Sequence, residues 1–300
     1  MVILEIYLDN DKFNYLPGEV VSGFVRIDSN KPIKARSVSL QCVGKSEVEW
    51  LESRRSGSRS GSSTDNYYSK WTIMDQRIIF WEQEHESEKF PGGEECLSFS
   101  FQLPQCLPPT FKANFGDVTY KLKAKIDIPF WFDKEAELDF NVLPYYNLNY
   151  LPHASQAVQK DKVKEYGFCK KDKIDIQAYL NKNAYASGEP ILCAISVQGS
   201  PDRYVKSITV SLLKTIECKA EDHMKATTDI IAKNNMYVKE FNQQSCYKIS
   251  VHVPPTIPSF NTENIFVNYA VKVKVQLNGK VWDNYPEIFV PIRIGTVSSY

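Results

Sequence analysis

Lys121, Lys123 and Lys125 alternate with Leu122 and Ala124, and Lys272 and Lys274 alternate with Val271, Val273 and Val275. In an extended chain residues two apart share a face, so each set is a row of ammonium groups along one side of a strand. Such rows can hold an acidic or phosphorylated chain through charge-assisted hydrogen bonds, and the same spacing also serves solubility or edge protection. These five lysines are the candidate binding residues. Catalysis has less to stand on. His85, His153, His223 and His252 are scattered, and none has partners at a spacing that specifies a metal. His85, in EQEHESE, reads as a solvated strand edge or loop, and Asp222 and Asp229 flank His223 at a spacing that polar segments produce freely. There is no glycine-rich phosphate loop, serine elbow or dinucleotide fingerprint. No catalytic, cofactor-binding or metal residue is therefore assigned. A hydrolytic site assembled from remote acidic residues stands as the enzymatic alternative.

Charge narrows the partners. The chain has 36 basic and 36 acidic residues, without the positive excess that an extended nucleic-acid surface requires. Residues 1–150 carry 17 basic and 22 acidic side chains and residues 151–300 carry 19 and 14, so the second half suits anionic lipid or phosphoprotein partners better. Lys160, Lys162, Lys164, Lys170, Lys171 and Lys173 add a local positive field. Cysteines at 42, 96, 106, 169, 193, 218 and 246 form no framework and read as isolated, mostly buried thiols in a reducing compartment. The first residues lack a basic region leading into an apolar run, and no segment approaches 18 uninterrupted apolar residues. Neither a secretory signal nor a membrane span is expected, which implies a cytoplasmic protein.

The elements that must position the lysines are strands. Period-2 alternation runs through VVSGFVRI, RSVSLQC, YKLKAKIDI and YAVKVKVQL, each with one apolar face, as expected of antiparallel sheets packed face to face. Helical signal is confined to Ala154 to Val163 and Lys219 to Lys233, at most a turn or two in each. An internal repeat fixes the domain count. YLPGEVVSG at Tyr15 to Gly23 is echoed by YASGEPILC at Tyr185 to Cys193, and Pro109, Phe111 and Tyr120 are echoed by Pro258, Phe260 and Tyr269. The economical reading is all-β: two tandem immunoglobulin-like antiparallel β-sandwiches, over 1–152 and 166–300, with a linker at 153–165. The first copy is the longer one, through a Ser/Arg/Gly-rich stretch from Glu52 to Tyr68. That stretch reads as an exposed hairpin loop, either a tolerated insertion or a phosphorylation or basic contact site.

These residues also carry a resemblance. DNDKFNYLPGEVVSGFVRI and KPIKARSVSLQCVGKSEVEW resemble the first half of the arrestin fold as it occurs in the α-arrestins, the arrestin domain-containing and thioredoxin-interacting group. Tyr15, Pro17, Gly18, Val21, Gly23, Val25, Lys34, Val38, Leu40, Gly44 and Trp50 fill the signature places. FSFQLP, GDVTYKLKAKID, YASGEPI, VPPTIPSF, VNYAVKVKV and PIRIGT extend the match over about residues 1–296.

The resemblance implies a non-enzymatic adaptor without cofactors. Its partners would be cytoplasmic tails of membrane receptors or transporters, reached from the cytoplasm at the plasma membrane or endosomes, and anionic membrane surfaces. It implies roles in endocytosis and ubiquitin-dependent sorting; a structural scaffold without membrane cargo is the alternative. In that group a ubiquitin ligase is recruited by Pro-Pro-x-Tyr motifs in a tail after the second domain, which these 300 residues do not include. AELDFNVLPYY lacks the arginine of the polar core of visual and β-arrestins, so Asp9 and Asp11 have no such partner and no phosphate-triggered ion-pair switch is expected. FNTENIFVNY lacks the cysteine associated with thioredoxin, and thioredoxin capture is not expected.

Overall fold

The computed structural model describes residues 2–55, 62–166, 172–199, 205–238, 244–277 and 285–298. Within them, helix is limited to the 3-10 turns Asp9–Asp11 and Leu148–Tyr150. Two compact units result. The first is Met1–Pro144 with Cys218–Lys225 and Asn261–Ile265; the second is Tyr145–Glu217, Ala226–Phe260 and Phe266–Tyr300.

The strands in the first part of the chain are β1 (Val2–Leu8), β2 (Asn14–Tyr15), β3 (Val20–Ser29), β4 (Ser37–Arg55), β5 (Ser62–Glu82), β6 (Gly93–Gln102), β7 (Phe111–Lys112), β8 (Gly116–Asp127) and β9 (Lys134–Val142). They form a three-stranded sheet, β1-β3-β6, and a six-stranded one, β2-β9-β8-β4-β5, with β7 beside β8. In the second part follow β10 (Val158–Tyr166), β11 (Asp172–Leu180), β12 (Ala184–Ala186), β13 (Pro190–Gly199), β14 (Val205–Ala220), β15 (His223–Tyr237), β16 (Gln244–His252), β17 (Phe260–Asn261), β18 (Ile265–Leu277) and β19 (Glu287–Gly295). Their sheets run β10-β11-β13-β16 and β12-β19-β18-β14-β15, with β17 beside β18. The two six-stranded sheets share one order: a short strand parallel to the last strand, then the last strand, a long central strand and a hairpin.

The sequence repeat recurs as repeated contacts. Gly18 and Gly188 have φ of 84° and 89°, in the left-handed region that favours glycine. The amide of Gly18 donates to Pro104 O and that of Gly188 to Val253 O. Beside them, Glu19 accepts from the Leu16 amide at 2.8 Å and Glu189 from the Ala186 amide at 3.0 Å. Tyr120 donates to Pro108 O at 2.6 Å, and Tyr269 to Ile257 O. Burial pushes the Tyr120 phenol well above its ordinary value and Tyr269 to about 12, so both are structural neutral donors.

Alternation decides what faces inward. Along β8, Val118, Tyr120, Leu122, Ala124 and Ile126 are buried, as are Val267, Tyr269, Val271, Val273, Val275 and Leu277 along β18. Each large apolar side chain so buried contributes about 1.5–3 kcal/mol. Gly23 permits a close approach within the three-stranded sheet, since a Cβ there would lie 1.9 Å from Tyr7 O.

Four expectations change. Val158–Tyr166, mostly within the stretch read as linker, is a strand paired with β11. It is a largely exposed edge, so its ladder forms without the apolar alternation that marks buried strands. The weak helical windows are mostly strand as well, apart from turns and irregular chain at 154–157 and 221–222; β-branched Thr227, Thr228, Ile230 and Ile231 favour β15. The stretch Glu52 to Tyr68 is mostly ladder, with Arg55 opposite Ser62 and Tyr67 stacked on Trp50 at 5.3 Å; its residues 56–61 lie outside the described residues. Finally, Cys42, Cys193 and Cys218 are buried, but Cys96, Cys106 and Cys246 are exposed because they point outward from their segments; Cys169 lies outside the described residues.

Candidate functional site

β8 and β18 carry the candidate lysines on their outward faces, between buried residues. The register of the neighbouring strand determines what those lysines meet. Along β8–β9, Lys121, Lys123 and Lys125 stand opposite Asp139, Glu137 and Glu135. Lys121 Nζ lies 3.1 Å from Glu137 and 3.5 Å from Asp139, and Lys123 pairs with the other oxygen of Glu137. Lys125 lies 2.6 Å from Asp133 and 3.8 Å from Glu135. The electrostatics follow: Glu137 raises the Lys121 ammonium and Asp133 raises Lys125, while Lys123 and Lys121 hold Glu137 below its ordinary range. The first row is therefore matched by four carboxylates.

The second row differs. Lys274 stands opposite Glu287, but Lys272 stands opposite Phe289. Glu287 is shared, 3.0 Å from Lys272 and 3.5 Å from Lys274. Burial raises the Glu287 carboxyl, but the two lysines outweigh it and hold it below its ordinary value. Lys272 also sits over the Phe289 ring at 5.3 Å and Lys274 over Tyr285 at 5.4 Å, in cation–π geometry.

Alternation places Asn268 on the same face of β18, and Pro291 and Arg293 on the matching face of β19. There a cleft of about 290 Å³ is walled by Leu151, Pro152, Tyr269, Pro291 and Ile292, with Asn183, Asn268 and Arg293 as its polar groups. Arg293 Nη1 donates to Asn268 Oδ1 at 3.3 Å, and Asn268 Nδ2 donates to Glu217 at 3.3 Å. Asn183 Oδ1 is buried without a hydrogen-bond partner. This face thus offers Lys272, Lys274 and Arg293 against the directly paired Glu287. The cleft was missed in the sequence; the available signal was Arg293 at an outward position in PIRIGT, two residues after an outward proline.

Lys160 and Lys162 are exposed on β10, not in a linker; Lys170 and Lys171 lie outside the described residues. Asp9 accepts from Ser22 Oγ at 2.6 Å, and Asp9 and Asp11 are exposed. Asn264 is buried and accepts from Ser46 Oγ at 2.5 Å while donating to Ser46 O and Ser69 O, within the first unit.

For catalysis, Glu84, His85 and Glu88 bring their ligand atoms within 4.8 Å of one another, the one such group among the described residues. Glu84 and His85 are exposed, and Glu88 accepts their backbone amides at 2.9 and 3.4 Å, closing a turn. His223 packs on Tyr67 at 4.5 Å. Remote acids do converge where Glu47 faces Asp117 across β4 and β8; burial and then Glu47 raise the Asp117 carboxyl. Glu47 is 2.6 Å from Lys70, and the cleft there, of about 220 Å³, is lined without histidine, cysteine or serine. No catalytic constellation is evident among the described residues.

Comparison with known proteins agrees with this architecture. Residues 4–149 match the family model "Arrestin (or S-antigen), N-terminal domain", and residues 170–299 match "Arrestin (or S-antigen), C-terminal domain". Human arrestin domain-containing protein 1 is 22% identical over 99% of this chain and 65% of its own length. Arrestin domain-containing protein 17 of Caenorhabditis elegans is 22% identical over 91% and 67%, and human arrestin domain-containing protein 5 is 23% identical over 71% and 62%. The chain spans about half to two thirds of the length of the curated relatives it matches. The two sandwiches have the arrestin fold, an architecture that supports an adaptor or scaffold role, and the chain belongs to the arrestin family.

Proposed function

We propose that this protein is a non-enzymatic adaptor that binds acidic or phosphorylated cytoplasmic tails of membrane receptors or transporters and takes part in their endocytic or ubiquitin-dependent sorting. The observation that carries the reading is the charge arrangement on the β18–β19 face, where, among the described residues, Lys272 and Lys274 share the one carboxylate of Glu287 and Arg293 bonds to the Asn268 side-chain oxygen. An incoming carboxylate or phosphate gains charge-assisted hydrogen bonds there and displaces few existing ones. On the β8–β9 face it must first displace Glu137, Asp133 or their neighbours from Lys121, Lys123 and Lys125. The proposal therefore places first contact on the second unit and gives the first row a weaker, salt-sensitive part. It sets the protein at the cytoplasmic side of the plasma membrane or endosomes, assigns no role to thioredoxin or nucleic acid, and leaves ligase recruitment to the whole protein.

Fluorescence anisotropy with a phosphorylated acidic peptide and a neutral control tests this. Lys272→Gln/Lys274→Gln/Arg293→Gln should weaken the acidic peptide alone. Equal affinity for both peptides would refute the binding face. Proximity labelling that returns no receptor or transporter would favour the scaffold alternative.

A further inference from the structure

The β8–β9 connection presents Phe130, Trp131 and Phe132 at 100%, 74% and 85% exposure. No other three consecutive residues among the described ones are exposed large hydrophobics. The base of this connection is pinned. Asp133 accepts from the Ile128 amide at 3.0 Å and lies 2.6 Å from Lys125, and the Trp131 amide donates to Ile128 O at 3.4 Å. Phe130 has φ of 60°, a left-handed backbone that glycine or asparagine adopts with less strain. A phenylalanine there serves neither core packing nor the turn, so the tip exposes apolar surface at a conformational cost.

We propose that Phe130, Trp131 and Phe132 form a tip that inserts into the interface of a phospholipid bilayer, with Lys134 meeting an anionic headgroup beside it. Area and charge choose this occupant. Three aromatic side chains cover roughly 450–750 Å² when fully buried, less than the roughly 800 Å² per partner of a standard protein interface. A second copy or a protein partner would have to engage the charged surface next to the tip as well. A bilayer interface takes Trp and Phe in small groups, with their rings at headgroup level. The acids closest in sequence are already engaged: Asp127 lies 2.7 Å from Arg36, and Asp133 and Glu135 face Lys125. Lys134 is exposed and, among the described residues, has no ion-pair partner, so its charge is available to a headgroup phosphate. The acidic run Glu84 to Glu88 follows β5, on the far side of β4 from β8, so the aromatics carry most of the attachment and Lys134 the smaller share. This attachment is independent of the peptide-binding face.

Flotation of the full chain with phosphatidylcholine vesicles, with and without phosphatidylserine, tests it. Wild type should float with both and more with phosphatidylserine. Phe130→Asn/Trp131→Ser/Phe132→Ser should lose about tenfold or more of the binding with unchanged thermal unfolding, because the three side chains do not pack in the core. Lys134→Glu should remove only the phosphatidylserine increment. Brominated lipid should quench wild type more than Trp131→Phe, which keeps an aromatic tip and lacks the reporting indole. Wild type that ignores both vesicles, a folded triple variant that floats equally well, or equal quenching of wild type and Trp131→Phe would each overturn the proposal. So would a protein partner that is lost with the tip while vesicles are not bound.

Discussion

The β8 and β18 rows look alike in sequence, yet they present different chemistry. On β8 each lysine stands opposite a carboxylate of β9, and Asp133 adds a fourth acid. On β18 two lysines share Glu287, the residue opposite Lys272 is aromatic, and Arg293 bonds to an amide. Exposed, solvent-screened pairs of this kind add little to stability, so the difference concerns recognition more than stability. The charge of a strand face is thus set by the neighbouring strand at the right register, not by the strand that carries the conspicuous residues.

The strongest test of the comparison removes what both rows rest on. Leu122 and Val273 are fully buried beneath them, and Leu122→Ala or Val273→Ala should leave a cavity costing about 2–4 kcal/mol, Val273 at the lower end. Lys123→Gln should change stability by less than about 0.5 kcal/mol in the same denaturant series. Equal losses at Leu122 and Lys123 would mean that the inward and outward faces are misassigned. A somewhat smaller effect is expected at Asn264. Removing its amide in Asn264→Ala strands the buried Ser46 hydroxyl and two backbone carbonyls, for about 1–3 kcal/mol by chemical denaturation, whereas Asn264→Ser should recover part of the loss.

These expectations differ in how far they were legible in the sequence. The lysines on β8 and β18 sit in clean apolar alternation, and alternation alone assigns their face. The turns at Gly18 and Gly188 were legible because Tyr, Gly and Glu recur together and build the same contacts. Strand β10 was not, because an exposed edge needs only backbone pairing and leaves no apolar period. Nor was the neutralisation of the first row: KEAELDFNV shows its acids, but only the register Lys123↔Glu137 shows that they meet the lysines. The role of Asn264 was not legible either, because its burial depends on Ser46 and Ser69, some 200 positions away.

Binding should separate the two rows more sharply than stability does. Lys272→Gln/Lys274→Gln/Arg293→Gln should weaken an acidic phosphopeptide by about tenfold, and Lys121→Gln/Lys123→Gln/Lys125→Gln by about threefold or less, at 0.1 M salt where the Debye length is about 10 Å. Raising the salt to about 1 M should compress both differences. Glu287→Gln should tighten the peptide by releasing two lysines at once, whereas Glu137→Gln leaves Asp139, Asp133 and Glu135 in place and should do less. Equal weakening by the two triple variants in calorimetric titrations would remove the distinction between the faces.

The smallest effect lies in the acid limb of stability. Glu137 and Asp133 are held below their ordinary values by Lys123 and Lys125 respectively, and Glu287 is held down by Lys272 and Lys274 against its burial. A carboxylate whose folded value is depressed contributes fully above its unfolded value, near 4.5 for glutamate, and that contribution is lost as pH falls through the lower folded value. Melting temperature should therefore begin to drop below about pH 4.5 through these pairs, modestly because they are solvent-screened. With more depressed carboxylates, the β8–β9 face should account for more of the drop than the β18–β19 face. Glu137→Gln should flatten the scanning-calorimetry profile between pH 5 and pH 3 more than Glu287→Gln: each carboxylate pairs with two lysines, but Glu137 has little burial working against its ionised form. The opposite ranking would show that the partial burial of Glu287 strengthens its two lysine pairs by more than it penalises the charged carboxylate.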